Sequence, residues 1–160
     1  MSHASRTLAV ISVALAVACS AAVRAPTACD GLDEKTVGVT RADYAPCAGE
    51  ILVALDTLQR HLQRLILQQD SAAQSDGERA LRHLRGLMRE VDFTADHWRE
   101  LREGRPSLER WPDGAMRQFN VEIGVAAAQY MSALEGSNPA NLQEGSRRHS
   151  QARSAYGRFR

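Results

Sequence analysis

The sequence predicts an all-α protein: an up-down-up-down four-helix bundle over 47–160, preceded by a signal peptide at 1–18 and an irregular, disulfide-stapled tether at 19–46. Three observations predict it. Apolar residues recur at alternating spacings of three and four in four stretches, the period of one helix face. No stretch carries a strand signal. One uncharged apolar run lies near the start, and a segment rich in Pro, Gly and charge separates it from the first periodic stretch.

The leader comes first. Met-Ser-His-Ala-Ser-Arg is followed by TLAVISVALAVA, residues 7–18, without a charge. As a helix this run spans roughly 18 Å, short of the roughly 30 Å hydrocarbon core of a bilayer. Its length, the basic residue before it and the small residues after it fit a secretory signal peptide. The next longest apolar run is only ILVAL at 51–55.

Two cleavage chemistries compete at its end. Ala16-Val17-Ala18 and Ser20-Ala21-Ala22 both have the small-x-small pattern of ordinary signal peptidase. Ala16-Val17-Ala18-Cys19 also resembles a bacterial lipobox, although its Leu15 lies four places before the Cys rather than three. That resemblance implies that Cys19 becomes the first mature residue and carries lipid on its thiol. It further implies that Ser20 directs the protein to the outer membrane of a Gram-negative host. The alternative is a soluble exported protein.

The cysteines bear on the choice. They stand at 19, 29 and 47. An odd thiol is a liability in an oxidising compartment. Lipidation of Cys19, or cleavage after Ala22, leaves Cys29 and Cys47 as one pair. The tether SAAVRAPTACDGLDEKTVGVTRADYAP, with two Pro and two Gly, lacks sustained periodicity. It either lifts the bundle off a membrane or lies against its surface. A Cys29–Cys47 bridge would staple its end to the first helix.

Removal of 1–18 takes Arg6 from the 20 basic residues, so they equal the 19 acidic ones. No global field would attract nucleic acid, which is not an expected partner. All basic residues but Lys35 are Arg, a bias that fits a GC-rich genome better than a mechanism.

The first helix is expected over 48–69, with Ile51, Leu55, Leu58, Leu62 and Leu65 in one stripe, widened by Leu52 and Ile66. Gln59, Arg60, Gln63 and Arg64 fall on its other face. The second is expected over 76–103, because Ser75-Asp76-Gly77-Glu78 matches a capping box and Gly104 and Pro106 stop the pattern. Leu81, Leu84, Met88, Val91, Ala95 and Trp98 form its stripe.

The third, over 113–135, carries Met116, Phe119, Ile123, Ala126 or Ala127, Tyr130 and Leu134. Only Arg117 and Glu122 are charged from 115 to 134, so this helix should be the most buried. Asn138-Pro139 reads as an N-cap followed by Pro at the first helical position, opening a fourth helix over 139–159. Its stripe is Leu142, Gly145, His149, Ala152, Tyr156 and Phe159.

Few residues suggest chemistry. His149 lies on an apolar stripe, where it either ligates haem or metal or bonds a hydroxyl, carboxylate or water at the core edge; packing is the preferred reading. No metal site is expected, because no Glu-x-x-His pair occurs and no Cys-x-x-Cys-His exists for covalent haem. Asp56/His61 and Glu144/His149 are five apart, which turns the partners away from one face. His97, Trp98 and Trp111 form either an aromatic contact site for a ligand or partner, or a cover for the bundle end. Arg147, Arg148 and Arg153 form either a basic surface for anionic lipid or an acidic partner, or a solvated face near a helix C-terminus.

There is no Gly-rich phosphate loop and no nucleophile-elbow pattern, so no catalytic residue and no cofactor are expected. The expected role is a lipid-anchored cell-envelope bundle that binds another envelope protein. The rival is a small-ligand- or haem-binding bundle around His149.

Overall fold

The computed structural model describes residues 25–32, 39–90 and 113–160. The described residues hold four helices and no strand: α1 (Arg41–Leu67), α2 (Ala73–Glu90), α3 (Gly114–Gly136) and α4 (Pro139–Tyr156). None of these helices is long and apolar enough to cross a membrane.

α1 begins at Arg41, earlier than the expected 48, so the last residues assigned to the tether are helical. Its N-cap is Thr40, whose hydroxyl accepts from the Asp43 amide, while the Asp43 carboxylate accepts from the Thr40 amide. This reciprocal pair satisfies two orphan donors. Pro46, the last residue of the expected tether, sits inside the helix. As the sixth helical residue it withholds the i→i−4 donor from the Ala42 carbonyl, a loss of one bond just after the first turn.

The turn into α2 is built on Asp70. Its carboxylate accepts from Arg64 at 2.6 and 3.1 Å and from the Ala72 amide at 3.1 Å. These bonds hold the Asp70 carboxyl below its ordinary range, with the Arg64 hydrogen bond the largest cause. Gln69 takes the left-handed conformation at φ 55° to let the chain reverse. The expected capping box at Ser75 is not used: α2 starts at Ala73, Ser75 is exposed within it, and Glu78 accepts from Gln74 instead. Leu81, Leu84 and Met88 are buried as the periodicity requires, and Leu87 joins them. The later part of the expected second helix lies outside the described residues.

α3 opens at the N-cap Asp113, which accepts from the amides of Ala115 (2.8 Å) and Met116 (3.0 Å) and from Arg41 Nε (2.8 Å). Burial works to raise the Asp113 carboxyl, but those amides and the guanidinium outweigh it and the net shift is downward. α4 opens on Asn138, which accepts from the Ala140 amide, with Pro139 at the start.

The core runs between all four helices. α3 contributes eleven of its 23 residues to it, among them Asn120 and Glu122, which no apolar period would include. α4 lies closely against α3, because Gly145 leaves room for the Tyr130 ring; a Cβ there would stand 2.5 Å from two ring carbons. Contacts between these helices run in reverse order, with Tyr130 near Gly145 and Phe119 near Tyr156 and Phe159. α1 and α4 do the same, with Gly49 beside Tyr156 and Gln59 beside Ser146. At one end Tyr44, Phe119, Tyr156 and Phe159 pack ring against ring, with centroids 5.5–6.1 Å apart. The Tyr44 hydroxyl donates to Asn120 Oδ1 at 2.6 Å within this cluster.

Residues 25–32 lie against α1. Cys29 and Cys47 form a disulfide with Cα atoms 4.6 Å apart, and both are fully buried. A turn from Thr27 to Asp30 presents Cys29, and the Ala28 amide donates to Glu50 on α1 at 3.1 Å.

Candidate functional site

The polar centre of the molecule lies where α1, α3 and α4 meet. His149 sits there at 2 % exposure, on the face of α4 that its period assigned to the core. Its Nδ1 lies 3.0 Å from Gln59 Oε1 of α1 and 3.3 Å from the Tyr130 hydroxyl of α3. The Tyr130 and His149 rings meet edge to face with centroids 6.2 Å apart. Burial pushes the Tyr130 phenol above its ordinary range.

Gln59 was placed on the polar face of α1, yet it is half-buried and bonded across to α4. Its Nε2 donates to Ser146 Oγ at 3.0 Å, and the Ser146 hydroxyl donates to the Leu142 carbonyl at 2.9 Å. α1 packs on both α2 and α4, so its covered surface is wider than one apolar stripe. That is why Gln59 escaped the sequence pattern.

On the other side of the ring, Asp56 Oδ1 stands 3.5 Å from Nε2, and Arg153 donates to the same oxygen. Nε2 nevertheless has no hydrogen-bond partner. The 3.5 Å approach is a charge contact that only a protonated ring can use. Burial pulls the imidazole down to about 4 from its ordinary 6.5; Asp56 acts upward and Arg153 downward. At neutral pH the ring is uncharged. Asp56 and Gln59 also line a surface depression of about 410 Å³, together with Val53, Arg60 and Gln63.

A second network surrounds Glu122, 3 % exposed on α3. It accepts from Gln118 at 2.6 Å and from Arg148 of α4 at 3.3 Å. Arg148 and Arg147 both donate to Glu144, whose carboxyl they hold down at about 2.

The three arginines proposed as a basic surface are therefore each matched by a carboxylate: Arg147 by Glu144, Arg148 by Glu144 and Glu122, Arg153 by Asp56. The expectation offered two readings for these residues, a basic surface or a solvated face, and each of the three arginines is ion-paired. Glu144 lies on α4 itself, but Asp56 on α1 and Glu122 on α3 are remote in sequence, so charge counting along α4 alone misses those two.

Of the other proposed residues, Cys19, His97, Trp98 and Trp111 lie outside the described residues. Among the described residues no group of three or more His, Cys, Asp or Glu is placed to hold a metal ion. No family model, no curated protein and no solved structure matches this chain.

Proposed function

We propose that this chain is an exported, lipid-anchored helical bundle of the bacterial cell envelope that acts by binding another envelope protein, with no enzymatic activity of its own. The observation that carries the export reading is the buried Cys29–Cys47 bridge, since such cross-links form and persist in oxidising compartments. The uncharged run at 7–18 ahead of it supplies the leader, and Cys19 the point of lipid attachment. The reversed contact order of α1/α4 and α3/α4 supports an up-down-up-down path for the whole bundle. On this reading the tether is short, because residues 25–32 lie against α1 and only the residues before them are left to span the distance to the membrane. Exposed Val53 and Leu67, both on α1, support a contact surface there.

The test is metabolic labelling with a palmitate analogue in the native host. Wild type should be tagged and Cys19→Ala should not. A mature protein whose intact mass places an unmodified N-terminus at Val23 sinks the lipid anchor and leaves soluble export. The cofactor reading retains one observation in its favour, the unpartnered Nε2 of His149. A Soret band lost in His149→Leu would promote it.

A further inference from the structure

The hydrogen bonds around His149 fix which ring nitrogen carries its proton. Ser146 spends its hydroxyl proton on the Leu142 carbonyl, so its oxygen accepts from Gln59 Nε2. That orients the amide with Gln59 Oε1 toward His149 Nδ1 at 3.0 Å. An amide oxygen at this distance needs a donor, so Nδ1 bears the hydrogen, the Tyr130 hydroxyl 3.3 Å from the same nitrogen does not donate to it, and the lone pair sits on Nε2. The lone pair then faces the Asp56 carboxylate at 3.5 Å with no donor between them. Two electron-rich atoms at that separation repel each other. Arg153, bonded to the same carboxylate oxygen, offsets the repulsion and holds Asp56 in place.

The titratable and charged groups facing the ring are Asp56 from α1, Tyr130 from α3 and Arg153 from α4 itself. We propose that Asp56 and Arg153, beside His149, form a proton-sensitive latch between α1 and α4, shut while the imidazole is neutral and loosened when a solvent proton bonds to Nε2 and the imidazolium competes with Arg153 for the carboxylate. The added proton makes Nε2–H a donor to Asp56 and sets Arg153 and the imidazolium in competition for one carboxylate. The imidazolium is also buried at a packed interface, which favours states in which α4 has moved off α1. Asp56 and Gln59 also line the surface depression, so the carboxylate side of the site lies at the molecular surface.

The sign follows from burial. A histidine held near 4 in the fold and at an ordinary 6.5 in the unfolded chain binds its proton more tightly when unfolded. Its contribution is therefore intact above about pH 6.5 and is lost progressively as pH falls from there toward 4. The latch rests on these contacts alone and does not depend on where the protein resides.

The test is a ring-nitrogen and ring-carbon NMR titration of the mature, oxidised protein. At pH 7 His149 should show the Nδ1–H tautomer, and its midpoint should lie well below 6.5. Asp56→Asn removes an attractive charge and should lower that midpoint; Arg153→Gln removes a repulsive one and should raise it, each by ~0.5 pH unit or more. Amide protection factors along the α1–α4 contact, taken relative to intrinsic exchange at each pH, should fall as pH drops over the same range. An Nε2–H tautomer at neutral pH, an ordinary midpoint, or a midpoint indifferent to the variants overturns the latch. Should Asp56→Asn fail to fold, Arg153→Gln decides alone, since the Arg153 side chain is 54 % exposed and its replacement leaves the core intact.

Discussion

At Gly145 the absence of a side chain sets how closely two helices approach. An added methyl would stand 2.5 Å from two carbons of the Tyr130 ring, and that ring is fully buried and cannot swing out. Gly145→Ala gains up to about 1 kcal/mol of helix propensity, while overpacking a buried contact costs about 1–3 kcal/mol. We expect a net loss of ~1–2 kcal/mol in urea denaturation, with α4 displaced from α3; a stabilised variant would contradict this packing. Gly145 lies on the apolar stripe of α4, so its burial was legible in the sequence. Its role was not, because helical period says which face is covered and not which ring covers it.

Among the helices, beginnings were read more unevenly than faces. Asn138-Pro139 opens α4 as expected, since a side-chain acceptor followed by a residue without an N–H suits a helix start. The Ser75 capping box was misread because Asp70, bonded to Arg64 and the Ala72 amide, turns the chain earlier. The Thr40 cap of α1 falls within 19–46, a stretch without sustained apolar periodicity, which the sequence reading assigns to the tether. Asp113 links the start of α3 to Arg41 of α1 and caps two amides. Asp113→Ala should cost ~1 kcal/mol, typical of a lost N-cap, with little added by the Arg41 pair because that guanidinium is exposed. The folded Asp113 carboxyl lies below its ordinary 3.8, so this contribution is present above about that pH and is lost as pH falls through the folded value. A variant with unchanged chemical stability at pH 7 but unchanged acid sensitivity as well would show that Asp113 caps nothing.

Across the whole molecule, the Cys29–Cys47 bridge closes a loop between residues separated by 18 positions. In the chain-entropy account a loop of this size contributes ~3 kcal/mol. Reduction should lower the melting temperature and free residues 25–32 first, because that segment is held to α1 by the bridge and the Glu50 contact. α3 and α4 share no residue with the bridge, so their amide protection at low temperature should persist. Protection lost equally in all four helices on reduction would instead mean that the tether is integral to the core.

The sequence by itself determined the helical class, because a spacing of three and four can bury only one face of a helix. The pairing of Cys29 with Cys47 was one expectation of the sequence, conditional on Cys19 being taken by lipid or leader, and the bridge is present. The tertiary structure alone decided the polar interior. Gln59 and Asp56 reach His149 from α1, remote in the chain, and Tyr130 from the preceding helix, and Glu122 is buried because Arg148 and Gln118 satisfy it. A buried polar group is tolerated only where partners complete its hydrogen bonds or neutralise its charge. Those partners come from whichever helix packs across from it, and periodicity within one segment carries no information about its neighbour.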